Sequence, residues 1–229
     1  MRRAVSTTLL LAAAFLAPCK AHPSSGWKRV CPQADFLMPC RCIEAQIGLR
    51  VLCSGISSRR HLQVPFDYLR LYDLNTLTLQ RVDFPITVDL FKGLNVVIIK
   101  ILDSTFKVLD PPEQQGADTN LVLGNKLEGL DVRQTTLDLG NTNLGAMKSL
   151  KHVMVDASTI NVLRKNWFHG LTRVTSFVIE HTSIARVEDE ALSGLDSVEE
   201  IKLAANQLSA VQRNYFPNVA SKLSHLDLR

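Results

Sequence analysis

The chain has 229 residues, 46% of them hydrophobic and 21% charged, a globular composition with enough apolar content for one or two domains. Beyond the N-terminus no stretch approaches the roughly 20 consecutive apolar residues of a membrane helix, which excludes a helical span in the body of the chain. The formal charge of +4 is concentrated at the start. Without Arg2, Arg3 and Lys20 it falls to about +1, so net charge points neither to nucleic acid nor to anionic lipid, and the expected partner is a protein.

The N-terminus opens with Met1-Arg2-Arg3, continues as an apolar run from Thr8 to Ala17, and ends in Cys19-Lys20-Ala21, with small residues at the −3 and −1 positions of a cleavage site. Residues 1–21 are therefore expected to be a secretory signal peptide, and the chain to be secreted or extracellular. The run is too short for a membrane anchor. Removing it takes Cys19 away and leaves an even set: Cys31, Cys40, Cys42 and Cys53. In an oxidising compartment four cysteines form a disulfide framework, with three possible connectivities. Their C-x8-C-x-C-x10-C spacing lacks the C-x2-4-C pairs of a zinc site, so residues 22–57 are expected to be a disulfide-bonded cap. On a strand, Cys40 and Cys42 face the same way, and each needs a separate partner.

From residue 58 a periodic pattern takes over. In "VEEIKLAANQL", residues 198 to 208, apolar Val198, Ile201, Leu203 and Leu208 surround a lone Asn206. Neither a helix nor a strand fits this spacing throughout, but a short strand followed by a tight turn does. The pattern recurs 24 residues upstream from Val174 and again from Leu150, with Gly170-Leu171 and Gly194-Leu195 in matching places. Looser copies start at Leu74 and Val96, and another begins at Leu223. Leu137 and Leu139, followed by Thr142, are expected to form the copy before Leu150, in a unit of only 16 residues. Leu121 and Leu123 suggest a further strand. Pro111-Pro112 and the polar run from Glu113 to Asn120 suggest a loop, so the repeats are expected to be irregular at 110–135. Ser104, Thr142, Ser158, Thr182 and Asn206 fill the turn column, where short polar side chains can bond free backbone groups; Val82 cannot.

One such unit cannot bury its apolar row alone, but stacked copies make the rows a continuous core. The expected fold is an α/β repeat solenoid, a horseshoe with parallel β-strands on the concave face and short helices or loops on the convex face. Strand alternation then turns the second, fourth and sixth positions after each start toward the concave side. These columns gather Asp138, Asp156 and Glu180 beside apolar Met154 and Val178, with His152 and His181 nearby. An apolar centre with a charged border suits protein binding, making Asp138, His152, Met154, Asp156, Val178 and Glu180 the candidate binding residues.

Catalytic readings find little. The sequence has no G-x-S-x-G, H-E-x-x-H, phosphate-cradling glycine loop or G-x-G-x-x-G, so no enzyme, cofactor or metal site is expected. Ser54 has no partner placed by the sequence, His169 reads as a surface residue, and Trp167 reads as convex packing. The run Glu188-Asp189-Glu190 falls where a convex helical turn would start. No N-x-S/T sequon blocks either face.

The match to L-x-x-L-x-L-x-x-N-x-L across about residues 74 to 229 resembles secreted leucine-rich-repeat proteins, and the four cysteines resemble the cap of extracellular members. That resemblance implies the pairs Cys31–Cys42 and Cys40–Cys53. More narrowly, "CPQADFLMPCRC" followed by "LRVLCSG" resembles arthropod members, some named after the non-catalytic subunit of a shrimp luciferase. The expected function is a non-enzymatic extracellular protein-binding module, with a receptor ectodomain as one alternative and, as the narrower resemblance implies, a stabilising subunit of a secreted enzyme complex as the other. A membrane would enter only for an anchored receptor. The sequence ends at Arg229 within a copy and without a C-terminal cysteine cap, so the last repeat is expected to be truncated and its edge open to self-association.

Overall fold

A computed structural model describes residues 30–107, 126–140, 144–165 and 167–229. The expected signal peptide, the Pro111-Pro112 loop, the strand at Leu121 and Leu123, and Thr142 lie outside these residues. The first described segments are the short helix α1 (Ala34–Leu37), strand β1 (Cys40–Ala45), strand β2 (Gly48–Ile56) and helix α2 (Gln63–Leu69). β1 and β2 form an antiparallel pair that aligns Cys40 with Cys53 and Cys42 with Val51. The disulfides are Cys31–Cys42 and Cys40–Cys53, the two pairs that the cap resemblance implies.

Parallel strands then extend this sheet: β3 (Asp73–Val82), β5 (Asn95–Leu102), β7 (Gly129–Arg133), β9 (His152–Asp156), β11 (Ser176–Glu180), β13 (Glu200–Lys202) and β14 (His225–Asp227). Among the described residues the sheet has nine strands in the order β1-β2-β3-β5-β7-β9-β11-β13-β14. Register places Leu77, Ile99, Leu130, Val153, Phe177, Ile201 and Leu226 side by side. All of these except Leu226 are buried, as are Leu79, Ile101, Val132, Val155, Ile179 and Leu203 two residues further along. Each fully buried side chain of this size contributes roughly 1.5–3 kcal/mol relative to exposure, so the core is built one row at a time.

The chain returns through short ladders and turns. β4 (Ile86–Thr87), β6 (Thr105–Lys107) and β8 (Thr136–Asp138) form a second parallel sheet, and β10 (Val162–Leu163) pairs with β12 (Arg186–Val187). Where helices were an option on this side, the described residues beyond Leu69 hold only single turns of 3-10 helix, such as Val88–Phe91 and Arg213–Tyr215. The acidic run at 188–190 likewise makes a turn, in which Glu188 Oε2 accepts the Lys165 backbone N–H at 3.0 Å and Glu190 pairs with Lys165. The two glycines of the repeated Gly-Leu pair meet different needs. Gly170 has φ of 90°, a backbone that favours glycine, whereas a Cβ on Gly194 would meet the backbone of Phe168, His169 and Gly170 at 3.1 Å, a tight contact.

One register expectation is corrected. The main-sheet strand before His152 is Gly129–Arg133, and Leu137 pairs with Phe106 in the second sheet. The unit therefore starts at buried Leu127, 23 residues before Leu150 rather than 16. Its turn residue is Thr135 in place of Thr142. The sequence "LEGLDVRQTTLDL" contains the L-x-L spacing twice, at Leu130-Asp131-Val132 and at Leu137-Asp138-Leu139. Only the first has a leucine three residues ahead of it; the second has Gln134 there.

The turn column forms a chain of hydrogen bonds between repeats. The Val82 N–H donates to Ser104 Oγ at 3.1 Å, Ser104 N–H to Thr135 Oγ1 at 3.4 Å, Thr135 N–H to Ser158 Oγ at 3.2 Å, and Thr182 N–H to Asn206 Oδ1 at 3.2 Å. The hydroxyls of Ser104, Thr135 and Ser158 donate in turn to carbonyls of their own strands. Val82 thus receives its cap from the following repeat, and its lack of a polar side chain leaves its own N–H satisfied. The residue before each turn position, Arg81, Asp103, Gln134, Ala157, His181 and Ala205, has a left-handed backbone with φ between 46° and 53°. No glycine occupies that column.

Candidate concave binding face

On the main sheet the core rows alternate with three outward rows. The middle row runs Thr78, Lys100, Asp131, Met154, Val178, Lys202 and Asp227, one residue per strand. On one side lie Thr76, Ile98, Gly129, His152, Ser176, Glu200 and His225. On the other lie Gln80, Leu102, Arg133, Asp156 and Glu180.

Five of the six candidate residues share this face: His152, Met154, Asp156, Val178 and Glu180. His152 is exposed, and Met154, Asp156 and Glu180 are half-buried. Val178 is only 5% exposed, in register between Met154 of β9 and Lys202 of β13. Asp138 does not belong to the group. It pairs with Lys107 in the second sheet, and Asp131 takes the position that the shifted register had given it.

Asp131 changes the electrostatics of the site. It is 8% exposed and sits between two cations. Lys100 Nζ lies 3.1 Å from its Oδ2, and Arg133 Nε lies 2.7 Å from its Oδ1. The hydrogen bond to Asp131, with the nearby Asp156 charge, holds the Arg133 guanidinium above the ordinary arginine range. Arg133 Nη2 also donates to Met154 Sδ at 3.0 Å, fixing the thioether at the centre of the face. One strand further, His181 Nδ1 and Asp156 Oδ1 are 2.9 Å apart. Toward the far end, Glu200 accepts from Lys202 Nζ at 2.7 Å and from Ser176 Oγ at 2.8 Å, contacts that hold its carboxyl below the usual glutamate range.

The face is therefore a pinned apolar pair, Met154 and Val178, set between a basic flank and the acidic row of Asp156 and Glu180. Among the described residues no three or more histidine, cysteine, aspartate or glutamate side chains gather as a metal-binding set. Ser54 accepts from Arg81 at 3.1 Å, and Trp167 is buried with its Nε1 donating to the Gly140 carbonyl at 3.0 Å. His169 is exposed. None of these three meets an acid–base partner arrangement suited to catalysis.

The repeat register and this sheet define a leucine-rich-repeat solenoid. A family model described as leucine rich repeat matches residues 148–208, the three copies in which the 24-residue spacing is strictest. No match was found among curated proteins. Among solved structures, the TLR13–ssRNA13 complex is similar at 16% identity with a TM-score of 0.42, covering 76% of this chain and 31% of that one. The Toll–Spatzle complex from Drosophila is similar at 10% identity and a TM-score of 0.26, covering 83% of this chain and 41% of that one. This chain spans less than half the length of either, and both likenesses are too distant to say what it binds.

Proposed function

We propose that the chain is a non-enzymatic, extracellular recognition module that binds a protein ligand on its concave face. The observation that carries this reading is Met154, half-buried at the middle of the sheet beside buried Val178, its sulfur held by Arg133, with ion-paired Lys100 and Asp131 on the preceding strands and acidic Asp156 and Glu180 in the neighbouring row. Apolar area at the centre supplies affinity, and a charged border fixes orientation and on-rate. The two cap disulfides support an oxidising compartment. Among the described residues no helix is long and apolar enough to cross a membrane.

The test uses the full secreted chain as bait in the extracellular fluid of its source. Met154→Lys and Glu180→Lys are each expected to lower ligand recovery at least tenfold, about 1.4 kcal/mol or more. Asp189→Lys, on the turn side beyond the β10–β12 ladder, should leave it unchanged. Full recovery by both concave variants, with loss in the turn-side variant, moves recognition to another face.

A further inference from the structure

The cap end of the concave face differs from its centre. β1 and β2 carry the outward rows past the first repeat, with Ile43 beside Arg50, Arg41 beside Leu52, and Arg50 and Leu52 beside Thr76 and Thr78. A hollow forms here, walled by Ile43, Leu52 and Ile98, floored by Thr76 and Thr78, and edged by Arg50 and Lys100. Ile43 is 61% exposed and Leu52 36%, so its apolar wall faces solvent.

Its charge has one sign. Arg41 and Arg50 are exposed and make no ion pair among the described residues, and Lys100 stands on the opposite rim. The nearby acids have partners, and because Asp131 already pairs with Lys100 the free positive charge at the hollow is that of Arg50, with Arg41 beyond it. Glu44 accepts the Cys31 N–H at 3.0 Å, Asp73 pairs with Lys126 at 2.7 Å, and Asp131 is shared between Lys100 and Arg133. Four strands away the polarity reverses, because Asp156, Glu180 and Glu200 dominate the outward rows there.

From this juxtaposition we infer that the hollow is a second recognition site, which takes an acidic peptide segment of the protein ligand with an apolar side chain next to its carboxylate. The apolar side chain fills the space between Ile43, Leu52 and Ile98. The carboxylate meets Arg50, whose guanidinium can bind it through two parallel hydrogen bonds. The Thr78 hydroxyl is placed to bond the peptide backbone. The reversed polarity beyond Met154 orients the ligand, with its acidic end over the cap. This inference rests on the concave-face reading and assigns its cap end a chemistry of its own.

The experiment is selection of a random heptapeptide library, displayed on phage, against the folded full chain, followed by titration of the enriched peptides. Enriched sequences are expected to place Asp or Glu within two positions of Leu, Ile or Phe. Arg50→Ala and Leu52→Ser should each weaken their binding at least tenfold, and Asp189→Lys on the turn side should leave it within threefold. Arg50→Lys should recover only part of the loss, because an ammonium cannot make the paired contact. Enrichment of basic peptides, or no enrichment at all, overturns the inference. So does binding lost in Met154→Lys but kept in Arg50→Ala, a result that would leave the central site standing. Retention on immobilised heparin that depends on Arg50, without peptide enrichment, would overturn it in favour of a sulfated glycan.

Discussion

Asn206 Oδ1 accepts both the backbone N–H and the hydroxyl of Thr182, at 3.2 and 2.5 Å, while its Nδ2 donates to the carbonyls of Ile179 and Leu203 at 2.8 and 2.9 Å. One amide thus joins two repeats and satisfies a turn that neither strand ladder reaches. Asn206→Ala leaves a buried donor and several carbonyls without partners and is expected to cost about 2–3 kcal/mol in chemical denaturation. Ser158→Ala, which removes a single hydroxyl from the same column, should cost about 1 kcal/mol. Equal costs would mean that the amide does no more than a hydroxyl.

The left-handed column gives a prediction of opposite sign. Ala157 and Ala205 have φ of 46° and 53°, a conformation that disfavours any Cβ by roughly 1–2 kcal/mol. Glycine relieves that strain but gains freedom in the unfolded chain. Ala205→Gly and Ala157→Gly are therefore each expected to stabilise by about 0.5–1 kcal/mol, read from urea unfolding. A destabilisation would show that the turn relaxes in solution.

The cap cysteines are not equivalent. Cys53 is fully buried and Cys40 is 5% exposed, whereas Cys42 is only partly buried. Opening either loop is expected to cost about 2–4 kcal/mol. The Cys40→Ala/Cys53→Ala pair also thins the core beneath β2 and should be the more damaging of the two double variants. The comparison is made by thermal unfolding under non-reducing conditions.

A pH effect follows from Glu200. Lys202 and Ser176 hold its carboxyl below the range of an unfolded glutamate, so the folded state binds this proton less readily. The contribution is complete above the unfolded value of about 4.3 and disappears as pH falls through the lower folded value. Glu200→Gln should lose stability at pH 7 and converge on the parent protein as pH falls below the unfolded value. A constant difference between them across that range would assign the effect to packing instead.

The repeats from Leu150 onward were legible because each combines the 24-residue spacing with a full set of apolar positions. Leu127 to Leu139 was not, because it offers two overlapping L-x-L frames, and the 31 residues from Val96 to Leu127 break the spacing that would have chosen between them. The misplacement of Asp138 followed directly and hid the Lys100–Asp131–Arg133 cluster. An ion pair between strands leaves no periodic trace in a sequence. The left-handed column was also silent, since Arg81, Asp103, Gln134, Ala157, His181 and Ala205 share no residue type. The hollow at the cap depends on β1 pairing antiparallel to β2, which brings Ile43 beside Arg50 and which the cysteine spacing alone did not specify.

Concave-face recognition is tested most directly by site-specific photocrosslinking in the native extracellular fluid. A benzophenone amino acid is placed at Glu180 on the concave sheet in one preparation and at Asp189 on the turn side in another. A discrete cross-linked protein from position 180, absent from position 189, is the expected result. A partner captured from position 189 and not from 180 would contradict it and place recognition on the opposite side of the solenoid.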